Sequence, residues 1–392
     1  MDVGIDALNA SRLAEAGAAF TTALEYDPKS LNAHMNLGTL LASLGQQRKA
    51  VTHLSRALAL APGHRLVAKN AVVLLLQLGR WDLALPVLSQ LLTAEPTDGE
   101  VLAQLAFLHL ENGRRAEAVA FAKRATEAKP GFADAHYVLY RALYDDRAPR
   151  EALEPLKRAA ELDPAPWYRF LLGVLLEETG DAAASKTVLA SIEPGVYAGA
   201  IDSWDYVKRK RTDATRMFST TRDTLVLGQE SARIDGSTLE LGVRFGISTR
   251  WLSERAPQVH GFDSFEGLPE EWHIQPKGAY TTHGQLPVVP DNVKLHVGWF
   301  DATLPVFMAE NAEPLRFANV DCDLYSSTKV ALDALAPRVR PGTVIVFDEY
   351  IVNDAWREDE FKAFQEAVNE HGWKYEYLAF TLTDFQAAVR IL

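Results

Sequence analysis

The sequence predicts two architectures in series: an α-solenoid of paired helices, then a doubly wound α/β sheet that closes on an antiparallel hairpin. Three observations carry that expectation. Pro28, Pro62, Pro96, Pro130 and Pro164 recur every 34 residues, and Ala16, Ala50, Ala84, Ala118 and Ala152 keep the same period. After Pro194-Gly195 the period stops, and short β-rich runs, each apolar up to a polar C-terminal end, alternate with helical stretches. The chain finishes WKYEYLAFTLTDFQAAVRIL, two strand-like runs joined by a short connection.

In the repeated half the residue types follow from the packing they serve. Small Ala23, Ala57, Ala125 and Ala159 let paired helices approach, Gly45, Gly79 and Gly113 supply the positive φ of a tight turn, and the prolines stop the second helix. In NAHMNLGTLLASLGQQRKAVTHLSRALALAPGH, the residues Leu37, Gly38, Ala50, Leu54, Ala57 and Pro62 resemble the tetratricopeptide family place by place. The unit FLLGVLLEETGDAAASKTVLASIEPG, with Gly173 and Gly180, ends early at Pro194 and reads as a terminal cap. Such an array presents a concave groove that binds a peptide, a partner protein or another copy of itself. Asn36 and Asn70 stand one repeat apart in the first helix of their pairs, with Gln104 next, and carboxamides there could pair with the backbone of an extended peptide.

Composition excludes several function classes. A net charge of −12 argues against nucleic acid or an anionic membrane as the main partner. The basic run Lys208-Arg209-Lys210-Arg211 reads as a solvated linker face. The single Cys322 excludes an internal disulfide and a cysteine metal site, which suits a reducing compartment. The opening Met1-Asp2-Val3-Gly4 lacks the pattern of a signal peptide, and the expected location is cytoplasmic. The expected divisions are residues 1–194 for the repeats, 195–235 for a helical lead-in and 236–392 for the α/β domain.

In that domain STLELGV, VHGFD, VKLHVGWF, FANVDCD and TVIVFDE read as buried parallel strands, and a doubly wound sheet binds ligands at its strands' carboxyl ends. Gly242 and Gly246 after the first strand permit a close backbone turn, but they do not form the GxGxxG of a nicotinamide-dependent oxidoreductase. Asp263 ends the second strand, where an acid accepts ribose hydroxyls; its alternative is to cap a following helix. Asp321 and Asp323, two apart, would face one side of their strand, with Asp348 and Glu349 ending the next. Four converging carboxylates raise one another's pKa, and a hard cation such as Mg2+ is the remedy. The alternative is that these acids cap turns and helix starts. Cys322 reads as a small buried residue; His273, His283 and His296 are candidates for a second base, and Trp272, Trp299 and Trp356 for a sugar pocket or for packing.

Glu240-x-Gly242-Val243-x-x-Gly246-x-Ser248, DSFEGLP, GWFDATLP, DCDLYSST and FDEY, in this order, resemble the macrocin O-methyltransferase family, whose members methylate hydroxyls of sugars or aglycones in natural products. The resemblance implies a Rossmann-like, seven-stranded class I methyltransferase sheet with S-adenosylmethionine (SAM) as donor. It places Glu240, Gly242, Gly246 and Ser248 at the methionine end of SAM, Asp263 and Ser264 at the ribose, and Gly298 and Trp299 near the adenine. It also implies Mg2+ on Asp321, Asp348 and Glu349, with Asp323 as catalytic base. The family commonly has Asp-Asp where this chain has Asp348-Glu349, which leaves open whether Glu349 touches the metal. The expected function is Mg2+-dependent methyl transfer to a sugar or diol-bearing natural product, with the repeats recruiting substrate or partner. The alternative is an interaction scaffold whose methyltransferase-like domain is inactive.

Overall fold

The computed structural model describes residues 2–9 and 12–392; Met1, the first of the opening residues read above, lies outside it with Ala10 and Ser11. Internal contacts divide the chain into two compact units, one of Met1–Val101 with Phe265–Pro287, the other of Leu102–Ser264 with Val288–Leu392.

The first unit is built of helix pairs, among them Leu31–Ser43 with Gln47–Leu60 and Arg65–Gln77 with Trp81–Ala94. At the first of these turns Gly45 has φ +69°, and the N–H of Gln46 reaches back to the carbonyl of Leu41 at 2.8 Å, so the helix end is satisfied without a side-chain cap. Ala16, Ala50 and Ala84 are fully buried, as close helix approach demands. The segment Phe265–Pro287 folds onto this unit although it belongs by sequence to the α/β half. The N–H of Arg48 donates to Gln285 Oε1 at 2.9 Å, the Arg48 guanidinium to the carbonyl of Leu286 at 3.1 Å, and His283 Nε2 bonds the carbonyl of Leu44.

In the second unit the later repeats continue as Arg115–Ala128, Ala133–Leu143, Leu153–Leu162, Pro166–Glu178 and Ala182–Ala190. The sheet comprises β1 (Arg216–Phe218), β2 (Ser237–Leu241), β3 (Val259–Asp263), β4 (Val293–Val297), β5 (Leu315–Val320), β6 (Val344–Phe347), β7 (Tyr375–Thr381) and β8 (Gln386–Ile391). Its order is β1-β7-β8-β6-β5-β2-β3-β4, with β8 antiparallel to both neighbours. The seven expected strands are β2 to β8. The short β1, parallel to β7, adds an eighth inside the lead-in that was expected to be helical. β4 lies at the open edge, which leaves Val297 54% exposed where a buried strand was expected.

Two further expectations change. The terminal unit ends the repeats, as a cap would, but not the apolar core, because Phe170, Leu171 and Leu175 share one cluster with Trp204, Leu239, Val320 and Ile345. The basic run is solvated only in part: Arg209 and Lys210 are exposed, but Lys208 and Arg211 are engaged. Lys208 Nζ lies 3.0 Å from Glu177 Oε1, Arg211 lies 2.9 Å from Glu178 Oε1, and the Arg211 guanidinium covers the ring of Trp204. The run ends the helix Ala198–Lys210 against the acidic end of Pro166–Glu178. Deeper in the unit, Arg141 is 6% exposed and bridges Glu111 Oε1 at 3.0 Å to Asp384 Oδ2 at 3.1 Å, while its Nε donates to the carbonyl of Ser219. Even beside this guanidinium, burial and the repulsion of Asp384 and Asp223 push the Glu111 carboxyl up to about 7.

Candidate active site

The candidate residues stand at or just beyond the carboxyl ends of β2 to β6, Glu240 and Asp263 within their strands and the others in the segments that follow. Each loop begins by extending the ladder: Gly242 N–H donates to the carbonyl of Phe262, Gly298 N–H to Asp263, Asp321 N–H to Leu241 and Asp348 N–H to Val320, all at 2.8–2.9 Å. Gly242 has φ +95°, and a Cβ there would stand 1.8 Å from the carbonyl oxygen of Asp321. The glycine turn and the first acid loop therefore pack backbone against backbone, which only glycine allows.

Glu240 is fully buried on β2. Its Oε1 accepts from Ser248 Oγ at 2.6 Å and from Asn319 Nδ2 at 3.2 Å, across the register that sets Glu240 beside Asn319. Its Oε2 is buried without a hydrogen-bond partner. Burial pushes this carboxyl up to about 8 against the two hydrogen bonds, with Asp348 and Asp263 adding repulsion. A buried acceptor with one oxygen unsatisfied suits a donor such as the ammonium of SAM, so the residues fit that group.

Asp263 accepts with Oδ2 from the N–H of Val243 at 2.9 Å and of Arg244 at 2.7 Å. It braces the glycine turn. The helix it was alternatively expected to cap does not form, since the next helix after β3 is Phe300–Glu310. Ser264 follows it half-buried, Gly246 caps the short helix Ile247–Ser253 with φ +70°, and Trp299, 38% exposed, precedes Phe300–Glu310 next to Gly298.

The acid pair departs from its expected geometry. β5 ends at Val320, so Asp321 and Asp323 lie in a loop and not on the strand, and Asp323 takes φ +60°. The left-handed backbone is one that Asp tolerates better than most residues. Asp321, Asp348 and Glu349 are half-buried and interact. Burial, then repulsion by Asp348 and Asp323, raises Asp321 far above the usual carboxylate range. The same causes push Glu349 up to about 9. Asp348 is pushed to about 7 by burial, against a hydrogen bond from Gln386 Nε2 and with Asp323 adding repulsion. An all-oxygen set under mutual repulsion is one whose chemistry a hard divalent cation, and not a soft metal, would relieve, but the ligating atoms of Asp321, Asp348 and Glu349 are not all within 4.8 Å of one another in this structure.

Glu360, Gln386 and Asn319 belong to this neighbourhood and were not anticipated. Asn319 had a signal, a polar residue within an apolar strand run. Glu360 had little, because an acid opening a helix ordinarily reads as a favourable charge at the helix dipole. Other candidates are engaged elsewhere. His296 stacks on Phe262 at 4.4 Å and lies 3.1 Å from His260, and burial lowers its pKa to about 4. Trp356 is buried against Tyr206 and Phe361 with its Nε1 on Asp202. Cys322 is buried with Sγ 3.3 Å from Thr328 Oγ1. Among the described residues, Asp333, Glu370 and His371 form an exposed group with ligating atoms within 4.8 Å of one another, but the Lys329 ammonium already bridges Asp333 and Glu370.

Comparison with known proteins assigns these regions. Residues 239–350 match the family described as a methyltransferase domain, and residues 2–65 and 75–142 match two families described as tetratricopeptide repeat. The 8-demethyl-8-(2,3-dimethoxy-alpha-L-rhamnosyl)-tetracenomycin-C 4'-O-methyltransferase of Streptomyces olivaceus is 28% identical over 168 residues, 36% of this chain. The chain spans 60% of that relative's length. Among solved structures, one titled for PilF of Pseudomonas aeruginosa is 19% identical with a TM-score of 0.45, covering 53% of this chain and 95% of that one. MamA of Desulfovibrio magneticus RS-1 is 21% identical with a TM-score of 0.38, covering 42% and 93%. No described helix is long and apolar enough to cross a membrane. The chain joins an N-terminal run of tetratricopeptide repeats to a methyltransferase domain at residues 239–350.

Proposed function

We propose that this protein transfers the methyl group of SAM to a hydroxyl of a sugar or diol-bearing natural product, with Mg2+ held by Asp321, Asp348 and Glu349. The observation that carries the reading is the backbone contact of Gly242 with Asp321, which sets a cofactor-type glycine turn directly against an acid loop. Glu240, Gly242, Gly246 and Ser248 receive the methionine end, Asp263 and Ser264 the ribose, and Gly298 and Trp299 the adenine side. The acceptor oxygen forms a bond to the methyl carbon as the carbon–sulfur bond breaks, its electron pair returning to sulfur, while Asp323 takes the hydroxyl proton. When bound, Mg2+ lowers the pKa of a hydroxyl that ligates it. The Streptomyces relative is named for 4'-O-methylation of a rhamnosyl-bearing tetracenomycin, which supports a sugar hydroxyl as acceptor here.

The repeats recruit the substrate or a partner. Asn70 is exposed and Asn36 half-buried, so at least one carboxamide is open to an extended peptide. Calorimetric titration with SAM separates this reading from that of an inactive scaffold: the enzyme binds SAM and the Gly242→Ala variant does not. A wild-type protein without affinity for SAM would leave the scaffold reading standing.

A further inference from the structure

The two acid loops are joined by a residue outside both. Glu360 opens the helix Glu360–His371, and it is fully buried. Its carboxyl oxygens are divided between the loops: Oε1 accepts from the N–H of Cys322 at 3.4 Å, and Oε2 from the N–H of Glu349 at 3.0 Å. Cys322 lies between Asp321 and Asp323, and Glu349 follows Asp348. The ladder bonds that hold Asp321 and Asp348 are the last that the strand ends supply, so beyond them the backbone needs other partners. The helix that brings Glu360 is itself fixed, because Ala363, Phe364 and Ala367 are fully buried and Phe364 packs at 5.0 Å on Phe347, the last residue of β6.

We propose that Glu360 is a positioning residue, a single carboxyl group that ties the loop of Asp321 and Asp323 to the loop of Asp348 and Glu349 and so sets the spacing of the acids for a divalent cation. The cation part rests on the function proposed above; the clamp does not. If Glu360 served stability alone, replacing it would lower the melting temperature and leave cation affinity unchanged. Groups that orient metal ligands typically contribute ~10 to 100-fold to metal affinity.

The test uses the full-length protein, with Mn2+ as the probe read by electron paramagnetic resonance. Glu360→Gln keeps the size but turns one acceptor into a donor facing an N–H. The expected result is a loss of Mn2+ affinity of ~10-fold or more, SAM affinity without metal changed by less than about twofold, and faster amide exchange at Cys322 and Glu349. Unchanged Mn2+ affinity in a folded Glu360→Gln variant overturns the proposal. If that variant does not fold, wild-type amide exchange decides: slow exchange at both amides supports the clamp, and exchange at the rate of an open loop overturns it. A wild-type protein that binds no Mn2+ refutes the metal reading, and the same exchange data then judge the clamp separately.

Discussion

At the residue scale the site is a set of carboxyl groups held where ionisation is costly. Asp348 near 7, Glu240 near 8 and Glu349 near 9 all bind their protons more tightly in the folded chain than in the unfolded one. Their contribution therefore favours folding at low pH and is lost as pH rises from the ordinary carboxylate range through the folded values. Metal-free protein is expected to lose melting temperature between about pH 5 and pH 9, and Mg2+ to restore more of it at the alkaline end; a Mg2+ effect independent of pH would contradict the assignment of the acids. Asp263→Ala removes the acceptor of two backbone N–H groups as well as the proposed ribose contact. Charge-assisted hydrogen bonds of about 1.5–3 kcal/mol each make a loss of ~10-fold or more in SAM affinity the expected calorimetric result, with an unchanged dissociation constant as the contrary one. Most of these residues were legible in the sequence because they punctuate apolar runs. Glu360 and Gln386 were not, since their place at the site depends on the packing of a helix and a strand that follow it.

At the element scale, the sheet was readable from runs of apolar residues with polar ends, and the helix pairs from their period. What stayed hidden were elements whose role comes from their neighbours. β1 is only three residues long, too short for a pattern, and forms because β7 offers it an edge and Asp146 takes the N–H of Met217 at 2.8 Å. The strand reading of the acid pair failed for a related reason: β5 ends one residue before Asp321, and a loop conformation now turns the pair. Arg141 shows how the repeat helices and the C-terminal hairpin depend on each other. Arg141→Ala would leave the buried Glu111 without its counter-ion, while the half-buried Asp384 keeps the N–H of Thr221 at 2.9 Å, so a destabilisation of about 3 kcal/mol is expected in denaturant unfolding. A change under about 1 kcal/mol would mean that the bridge contributes little beyond its desolvation cost.

At the scale of the whole molecule, the repeat period ends near residue 194, but the apolar core of the second unit runs from Tyr140 through Phe170 and Trp204 into the strands. A fragment of residues 195–392 would expose that face, and it is expected to aggregate or to lose cooperative unfolding by circular dichroism; cooperative, soluble behaviour would show that the domain limit inferred from the repeats is also a folding limit. The sequence could not reveal this continuity, because periodicity records which residues face a neighbouring repeat and not what lies beyond the last one. The function proposed above has the acids of the loops after β5 and β6 support Mg2+-dependent methyl transfer. Its most direct test is mass spectrometry of rhamnosyl and other sugar-bearing acceptors incubated with SAM, comparing wild type with Mg2+, wild type with EDTA, and Asp323→Asn with Mg2+. A product heavier by one methylene is expected at full rate only in the first, with the Asp323→Asn rate reduced ~10² to 10⁴-fold while SAM still binds. Equal product in EDTA, or from the Asp323→Asn variant, would contradict that function.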